Sequence, residues 1–272
     1  MRGGKGVKAE VREDVEEWTM HSKAENRAYR IRVAIPKQSE PIEGYPIIYV
    51  LDGNAYFPLF RDVVRMQSVR AGHTGVNPAI IVGIGYPGEQ DFATEYRVYD
   101  YTPPSSSLTL PPKPDGKPWP PSGGVNQFLR FIEEELKPHI ESTFWVDPKK
   151  QTLFGHSLGG LCTLYAMFTK THLFQQYIAI SPSIWWNDSC ILFEEQKWKV
   201  EELSEGVRLF LGVGSLEKPH MVSEAQDLYK RLSQMNKRNF YVDYLEAEGE
   251  NHASVVPTTI SRALRFVMVH KN

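Results

Sequence analysis

Cysteine is nearly absent: the 272 residues contain two, Cys162 and Cys190. A chain of this length can bury most of the surface that it exposes when unfolded, so it needs no disulfide staples. Both cysteines therefore read as reduced and partly buried, which suits a reducing compartment. Long apolar runs are lacking too. No stretch approaches the ~18 residues that a membrane-spanning helix requires. Met1 to Lys8 is basic, but Glu10, Arg12, Glu13 and Asp14 follow where a signal peptide would carry its apolar region. The expectations are cytoplasmic residence and no membrane partner. An excess of either charge is also missing. A net charge of −2 argues against electrostatic binding of nucleic acid. Internal repeats and linkers are not found, so residues 1–272 read as one domain.

Apolar periodicity changes along the chain. Val15 to Met20 and Arg27 to Ile35 alternate apolar with polar residues, as half-exposed antiparallel strands do. After Pro36 the apolar runs become short and continuous: Ile47 to Leu51, Ala79 to Ile84, Tyr177 to Ile180 and Val207 to Val213. Such runs fit strands covered on both faces, as in a parallel sheet. Helical spacing marks Phe57 to Val69, Val125 to Ser142, Leu161 to Thr169, Met221 to Met235 and Pro257 to Met268. Strand and helix alternating in this way predict an α/β fold: a doubly wound, mostly parallel sheet with antiparallel N-terminal strands.

One segment, 102–124, breaks the rhythm with Pro103, Pro104, Pro111, Pro112, Pro114, Pro118, Pro120 and Pro121. It can be neither helix nor central strand. A long irregular loop in a compact domain is usually functional or disordered, so it reads either as a lid or pocket wall at the site or as a solvated loop.

The densest chemical signal is Gly155-His156-Ser157-Leu158-Gly159-Gly160. The apolar run Thr152-Leu153-Phe154 precedes it and a helix-compatible run follows. Strand, sharp turn and helix are the setting in which Gly-x-Ser-x-Gly becomes a nucleophile elbow, with Ser157 as the nucleophile. A serine hydroxyl needs a general base, and the base needs an orienting acid. His252 lies in a polar turn after the strand-like run Phe240 to Leu245, which makes it the candidate base; His172 and His270 look like surface residues. In Gly214 to His220, the loop after Val207 to Val213, Glu217 is the only carboxylate and the candidate acid, with Asp227 and Asp243 as alternatives. Backbone amides must receive the developing oxyanion. Leu158, directly after the nucleophile, offers one amide. Asn54, in the turn after Ile47 to Leu51, offers the other, with Gly53 next in line. Hydrolysis by this set requires no cofactor and no metal.

Leu51-Asp52-Gly53-Asn54, the elbow, Ser181-Pro182-Ser183-Ile184-Trp185-Trp186, Gly212 to Glu217 and Gly249-Glu250-Asn251-His252-Ala253 together resemble the esterase D group of α/β-hydrolases. Within it they are most similar to the enterochelin-esterase-like branch, which includes ferri-bacillibactin esterases. The resemblance runs from about Tyr29 to the C-terminal helix. It implies an α/β-hydrolase without a cap domain that cleaves the trilactone esters of an iron-loaded catecholate siderophore to release iron. Many esterase D enzymes carry Asp where this chain has Glu217.

A ferric triscatecholate is a large aromatic trianion, and aromatic surfaces and a guanidinium suit it. Trp185 and Trp186 are candidates for the first and Arg97 for the second. Each has a plainer reading: core packing for the tryptophans and a salt bridge to Asp100 for Arg97. The competing activities are a general carboxylesterase or S-formylglutathione-type thioesterase, and a non-catalytic binding module on the same scaffold.

Overall fold

The computed structural model describes residues 15–23, 25, 27–113, 116–199, 206–235 and 239–268. Strands β1 (Val15–His21) and β2 (Ala28–Ala34) pair antiparallel, Val15 opposite Ala34 and His21 opposite Ala28. Tyr29, Ile31 and Val33 of β2 are buried. Arg30 and Arg32, on the other face, are half-buried. Arg32 donates to the carbonyl of Gly53 and lies 4.9 Å from the centre of the Phe57 ring. The hairpin therefore braces the start of the first helix.

The sheet continues with β3 (Tyr45–Val50), β4 (Ile80–Gly85), β5 (Val146–His156), β6 (Gln176–Ile180), β7 (Val207–Gly214) and β8 (Phe240–Ala247). Its order is β1-β2-β4-β3-β5-β6-β7-β8. β2 meets β4 antiparallel, and every pairing from β4 to β8 is parallel. Alternate residues of each central strand serve opposite layers. Ile48, Val50, Phe154, Ile178 and Phe210 pack with α1 (Gly53–Ser68) and α10 (Val255–Met268). Tyr49, Leu153, Tyr177, Leu209 and Leu211 pack on the other side. That layer includes α3 (Thr94–Tyr101), α4 (Val125–Phe131), α6 (Leu158–Thr169), α8 (Ile191–Lys197) and α9 (Pro219–Gln234). The short helices α2 (Ala71–Thr74), α5 (Lys137–Thr143) and α7 (Trp186–Ser189) complete the set. Both sides of a strand must then be apolar, which is why these runs are continuous in sequence. Each fully buried aliphatic or aromatic side chain contributes roughly 1.5–3 kcal/mol.

This is the doubly wound α/β-hydrolase layout expected from the sequence. Several details differ: α2, α7 and α8 answer to no helix expected from the sequence, and α6, α9 and α10 start two or three residues earlier than expected. α1 begins at Gly53, four residues before Phe57. α3 was not foreseen at all. The helix expected over Val125 to Ser142 contains a π turn, Ile132–Leu136, between α4 and α5. Pro138 has no N–H to return to Glu134, so the wider turn falls where α-helical bonding is broken. Between Thr102 and Gly124 the described residues form neither helix nor strand, as the prolines dictate.

Candidate active site

β5 ends at His156 and α6 begins at Leu158, so Ser157 makes the turn between them alone. Its backbone takes φ 59° and ψ −119°, a conformation that L-residues avoid unless their surroundings fix it. Three bonds do so: the Ser157 amide donates to Ile180 O (3.0 Å), and the amides of Leu161 (3.0 Å) and Ser183 (3.1 Å) donate to Ser157 O. The turn brings the strand against the helix so tightly that a β-carbon on Gly155 would lie 2.0 Å from Gly159 O. The amide of Leu158 sits in the first turn of α6, where N–H groups have no intrahelical acceptor and the helix dipole is positive.

The loops after β7 and β8 meet beside this elbow. His252 Nδ1 lies 2.7 Å from Glu217 Oε2. Glu217 Oε1 accepts from the Ser181 hydroxyl and from the Gly214 amide (2.9 Å). Burial pushes the Glu217 carboxyl up, but the hydrogen bonds from His252, Ser181 and Gly214 outweigh it and hold it below its usual range. An ionised Glu217 fixes the imidazole proton on Nδ1 and leaves Nε2 as the free acceptor. The alternatives lie apart: Asp227 pairs with Lys230 and Asp243 with Arg262, both pairs on the surface. His172 is exposed against Glu133, and His270 lies outside the described residues. Ser157 Oγ faces Ser183 Oγ at 3.5 Å. The hydrogen bonds of the described residues do not join Ser157 to His252, whose side chain is 43% exposed. Contacts of this kind are often long before substrate arrives and tighten in the complex.

A second histidine backs the first. His156 is buried, its ring centre 4.4 Å from that of His252. Tyr56 Oη lies 3.0 Å from His156 Nδ1, while His156 Nε2 is buried without a partner. Burial, then the nearby His252 and Arg97, hold His156 well below the usual histidine range, so it stays neutral. His252 therefore rests against an uncharged plate.

The turn after β3 runs alongside the elbow. Asp52 precedes α1 with φ 49°. A β-carbon on Gly53 would lie 2.7 Å from Ile84 N, so only glycine lets this turn press against β4. Gly53 and Asn54 open α1, in the part of a helix whose amides lack intrahelical acceptors. The Asn54 side chain is engaged elsewhere, donating to Tyr86 O (3.0 Å) and Gln90 O (2.9 Å).

Arg97 belongs to this turn. Its Nε and one terminal nitrogen bind Asp52 Oδ1 and Oδ2, both at 2.9 Å, and the guanidinium also reaches His156 O at 3.5 Å. The salt bridge anticipated from the sequence, to Asp100, is instead made by Arg27 at 3.0 Å. Burial alone would lower the Arg97 pKa, but Asp52 more than offsets it and the group stays cationic. Its forked face is occupied by a carboxylate beneath the turn, so its geometry is that of a brace rather than of an open anion receptor.

Trp186 is fully buried and Trp185 half-buried, two positions beyond Ser183. Trp119 of the proline-rich segment completes a cluster with them. Sequence reasoning passed over Trp119, Ser181, Ser183, Tyr56 and the structural part of His156. Ser181 and Ser183 stood inside a quoted motif, whereas Trp119 and Tyr56 gave no local signal. Among the described residues no three His, Cys, Asp or Glu side chains are grouped as metal ligands would be, and no helix is long and apolar enough to cross a membrane.

The family described as putative esterase matches residues 22–255. Ferri-bacillibactin esterase BesA of Bacillus subtilis (strain 168) is 43% identical over 254 residues, covering 92% of this chain and 88% of that protein. A siderophore enterobactin esterase of Emericella nidulans is 32% identical over 253 residues, covering 81% of each. The crystal structure of BES protein from Bacillus cereus has a TM-score of 0.91 and 50% identity, across 99% of this chain and 100% of that one. Matched over most of its length, by sequence and by structure, the chain belongs to the esterase family and carries its serine-hydrolase fold.

Proposed function

We propose that this protein is a serine esterase that hydrolyses the trilactone esters of an iron-loaded catecholate siderophore and so releases iron. The observation that carries the reading is the Glu217–His252 pair beside the strained Ser157 elbow. The relatives named as siderophore esterases supply the substrate class. Destruction of the ring, which preorganises the catecholates, would be the means of release, and intracellular iron recovery suits a cytoplasmic enzyme.

In this reading Ser157 Oγ attacks a lactone carbonyl while His252 Nε2 takes its proton. Glu217 steadies the imidazolium through Nδ1. The amides of Leu158 and Asn54 receive the oxyanion, with the dipoles of α6 and α1 behind them. His252 then returns the proton to the departing alkoxide, leaving an acyl group on Ser157. Water, deprotonated by His252, attacks that acyl group; the bond to Ser157 Oγ breaks and His252 returns the proton to the serine as the carboxylic product leaves. Arg97 takes part through Asp52 by holding the oxyanion turn, and Trp185 offers its exposed face to an aryl arm over the buried Trp186.

The test is turnover of a ferric trilactone by the wild type and by Ser157→Ala, with folding checked by circular dichroism. Loss of several orders of magnitude in Ser157→Ala is expected. Near-normal cleavage by a folded Ser157→Ala protein, or no cleavage of any trilactone by the wild type, would overturn the proposal; the second result would leave a general carboxylesterase.

A further inference from the structure

The segment between Thr102 and Gly124 reads, in sequence, as a lid or pocket wall or as a solvated loop. Its described residues are fastened to the body of the protein. Its base is pinned where Gly124 donates to Tyr99 O (2.8 Å) and Gly123 to Thr102 Oγ1 (2.8 Å). Asn187 grips its middle twice: Oδ1 accepts from the Thr109 amide (2.8 Å), and Nδ2 donates to Ser105 Oγ (3.0 Å). Few side chains can accept and donate at once from a single planar group. Asn187 also sits at φ 46° and ψ 64°, the left-handed region that asparagine tolerates better than most residues. Asp188 and Ser189 share positive φ, at 51° and 59°. This run of unusual backbone directly follows Trp186 and turns the Asn187 amide onto the loop.

The fastened loop presents an indole. Trp119 Nε1 donates to Pro111 O at 2.8 Å, so the polar tip of the side chain is satisfied within its own loop. The ring centre of Trp119 lies 5.2 Å from Trp186 at 87° and 6.2 Å from Trp185 at 49°, and Trp185 lies 5.9 Å from Trp186. Trp186 is sealed beneath, while Trp119 and Trp185 keep part of their surface open. The wall starts close to the nucleophile. Ser183 donates its amide to Ser157 O at 3.1 Å, and two residues of chain from Ser183 to Trp185 span at most about 7 Å. A core tryptophan would need no loop fastened over it by a left-handed asparagine.

We infer that Trp119, with Trp185, forms an aryl-selecting wall for the acyl arm of the ester, and that Asn187 is the positioning residue that clamps the loop to hold it there. Stacking on two indole faces rewards a flat aromatic acyl group and does nothing for a small alkyl one. The inference rests on the esterase reading above, and it extends to aromatic acyl esters that carry no iron.

The experiment compares Trp119→Ala, Trp119→Phe, Asn187→Ala and wild type on three esters: a ferric catecholate trilactone, p-nitrophenyl benzoate and p-nitrophenyl acetate. For Trp119→Ala, KM for both aromatic substrates should rise about tenfold, with kcat/KM for the acetate unchanged. Trp119→Phe should recover most of the loss, because it restores a ring. Asn187→Ala should show the same KM change without touching the nucleophile loop. Thermal unfolding accompanies each variant, so that a misfolded protein is not mistaken for an unselective one. A loss on all three esters in parallel would make the cluster structural and overturn the inference, as would unchanged KM values for both aromatic esters. If the wild type ignores the trilactone but Trp119→Ala loses benzoate selectively, the wall stands and the siderophore reading falls.

Discussion

At the scale of single residues, Glu217 and Arg97 show how much a partner decides. Glu217 was selected from the sequence because no other carboxylate lies in its loop. What the sequence could not display is the Ser181 hydroxyl and Gly214 amide that occupy its second oxygen. Glu217→Gln keeps an acceptor for His252 but removes the charge that stabilises an imidazolium. We expect kcat to fall by roughly a thousandfold, with Asp227→Asn and Asp243→Asn close to wild type in the same assay; the reverse ranking would reassign the acid. Arg97 looked like a receptor for an anion and proves to be bound to Asp52, 45 positions earlier in the chain. Nothing local announces a contact of that separation. Arg97→Ala leaves a buried carboxylate unpaired beneath the turn after β3, a defect that costs about 3–5 kcal/mol in comparable buried pairs. Activity on a small neutral ester and on an anionic trilactone should therefore fall together. A loss confined to the anionic substrate would return Arg97 to direct contact with it.

At the scale of elements, the sequence was most legible where burial is two-sided and least legible where tertiary contacts set a boundary. β4 and β6 are buried at every residue and appeared as unbroken apolar runs. The sequence puts the start of α1 at Phe57, because Asp52-Gly53-Asn54 reads as a turn. Its earlier start depends on Arg32 holding Gly53 O and on the close approach to β4, both long-range. α3 is hidden in the sequence because Tyr96-Arg97-Val98-Tyr99 carries strand-like residues, and its start has no side-chain cap to mark it. The elbow was legible because its constraint is local. Gly155→Ala places a methyl group 2.0 Å from Gly159 O, a backbone atom that cannot swing away. We expect a drop in Tm together with loss of fluorophosphonate labelling, since separating β5 from α6 displaces Ser157. Full labelling and unchanged Tm in that variant would show that the elbow has room the structure does not contain.

For the molecule as a whole, the buried Asp100 and the half-buried Glu224 set a direction for its response to pH. Burial pushes the Glu224 carboxyl, beside the backbone of Trp185, from its usual 4.5 up to about 7, and the Asp100 carboxyl from 3.8 to about 6. A raised carboxyl pKa means that the folded state holds the proton more tightly than the unfolded one. These groups therefore contribute most below about pH 4, and their contribution declines as pH rises towards 7. Glu217 acts with the opposite sign and fails only in acid, as its depressed carboxyl takes up a proton. Glu224→Gln should accordingly raise Tm at pH 8 and leave it unchanged at pH 4; equal shifts at both would assign the effect to packing instead of protonation. The sheet has a consequence in time as well as in space. Asp52, Ser157, Glu217 and His252 follow β3, β5, β7 and β8, and every strand of the sheet precedes His252 in the chain. During synthesis, N-terminal parts emerge and begin to organise first. The nascent polypeptide thus displays Ser157 long before it contains His252, and on the mechanism proposed above its capacity to cut esters switches on only after the last strand has docked.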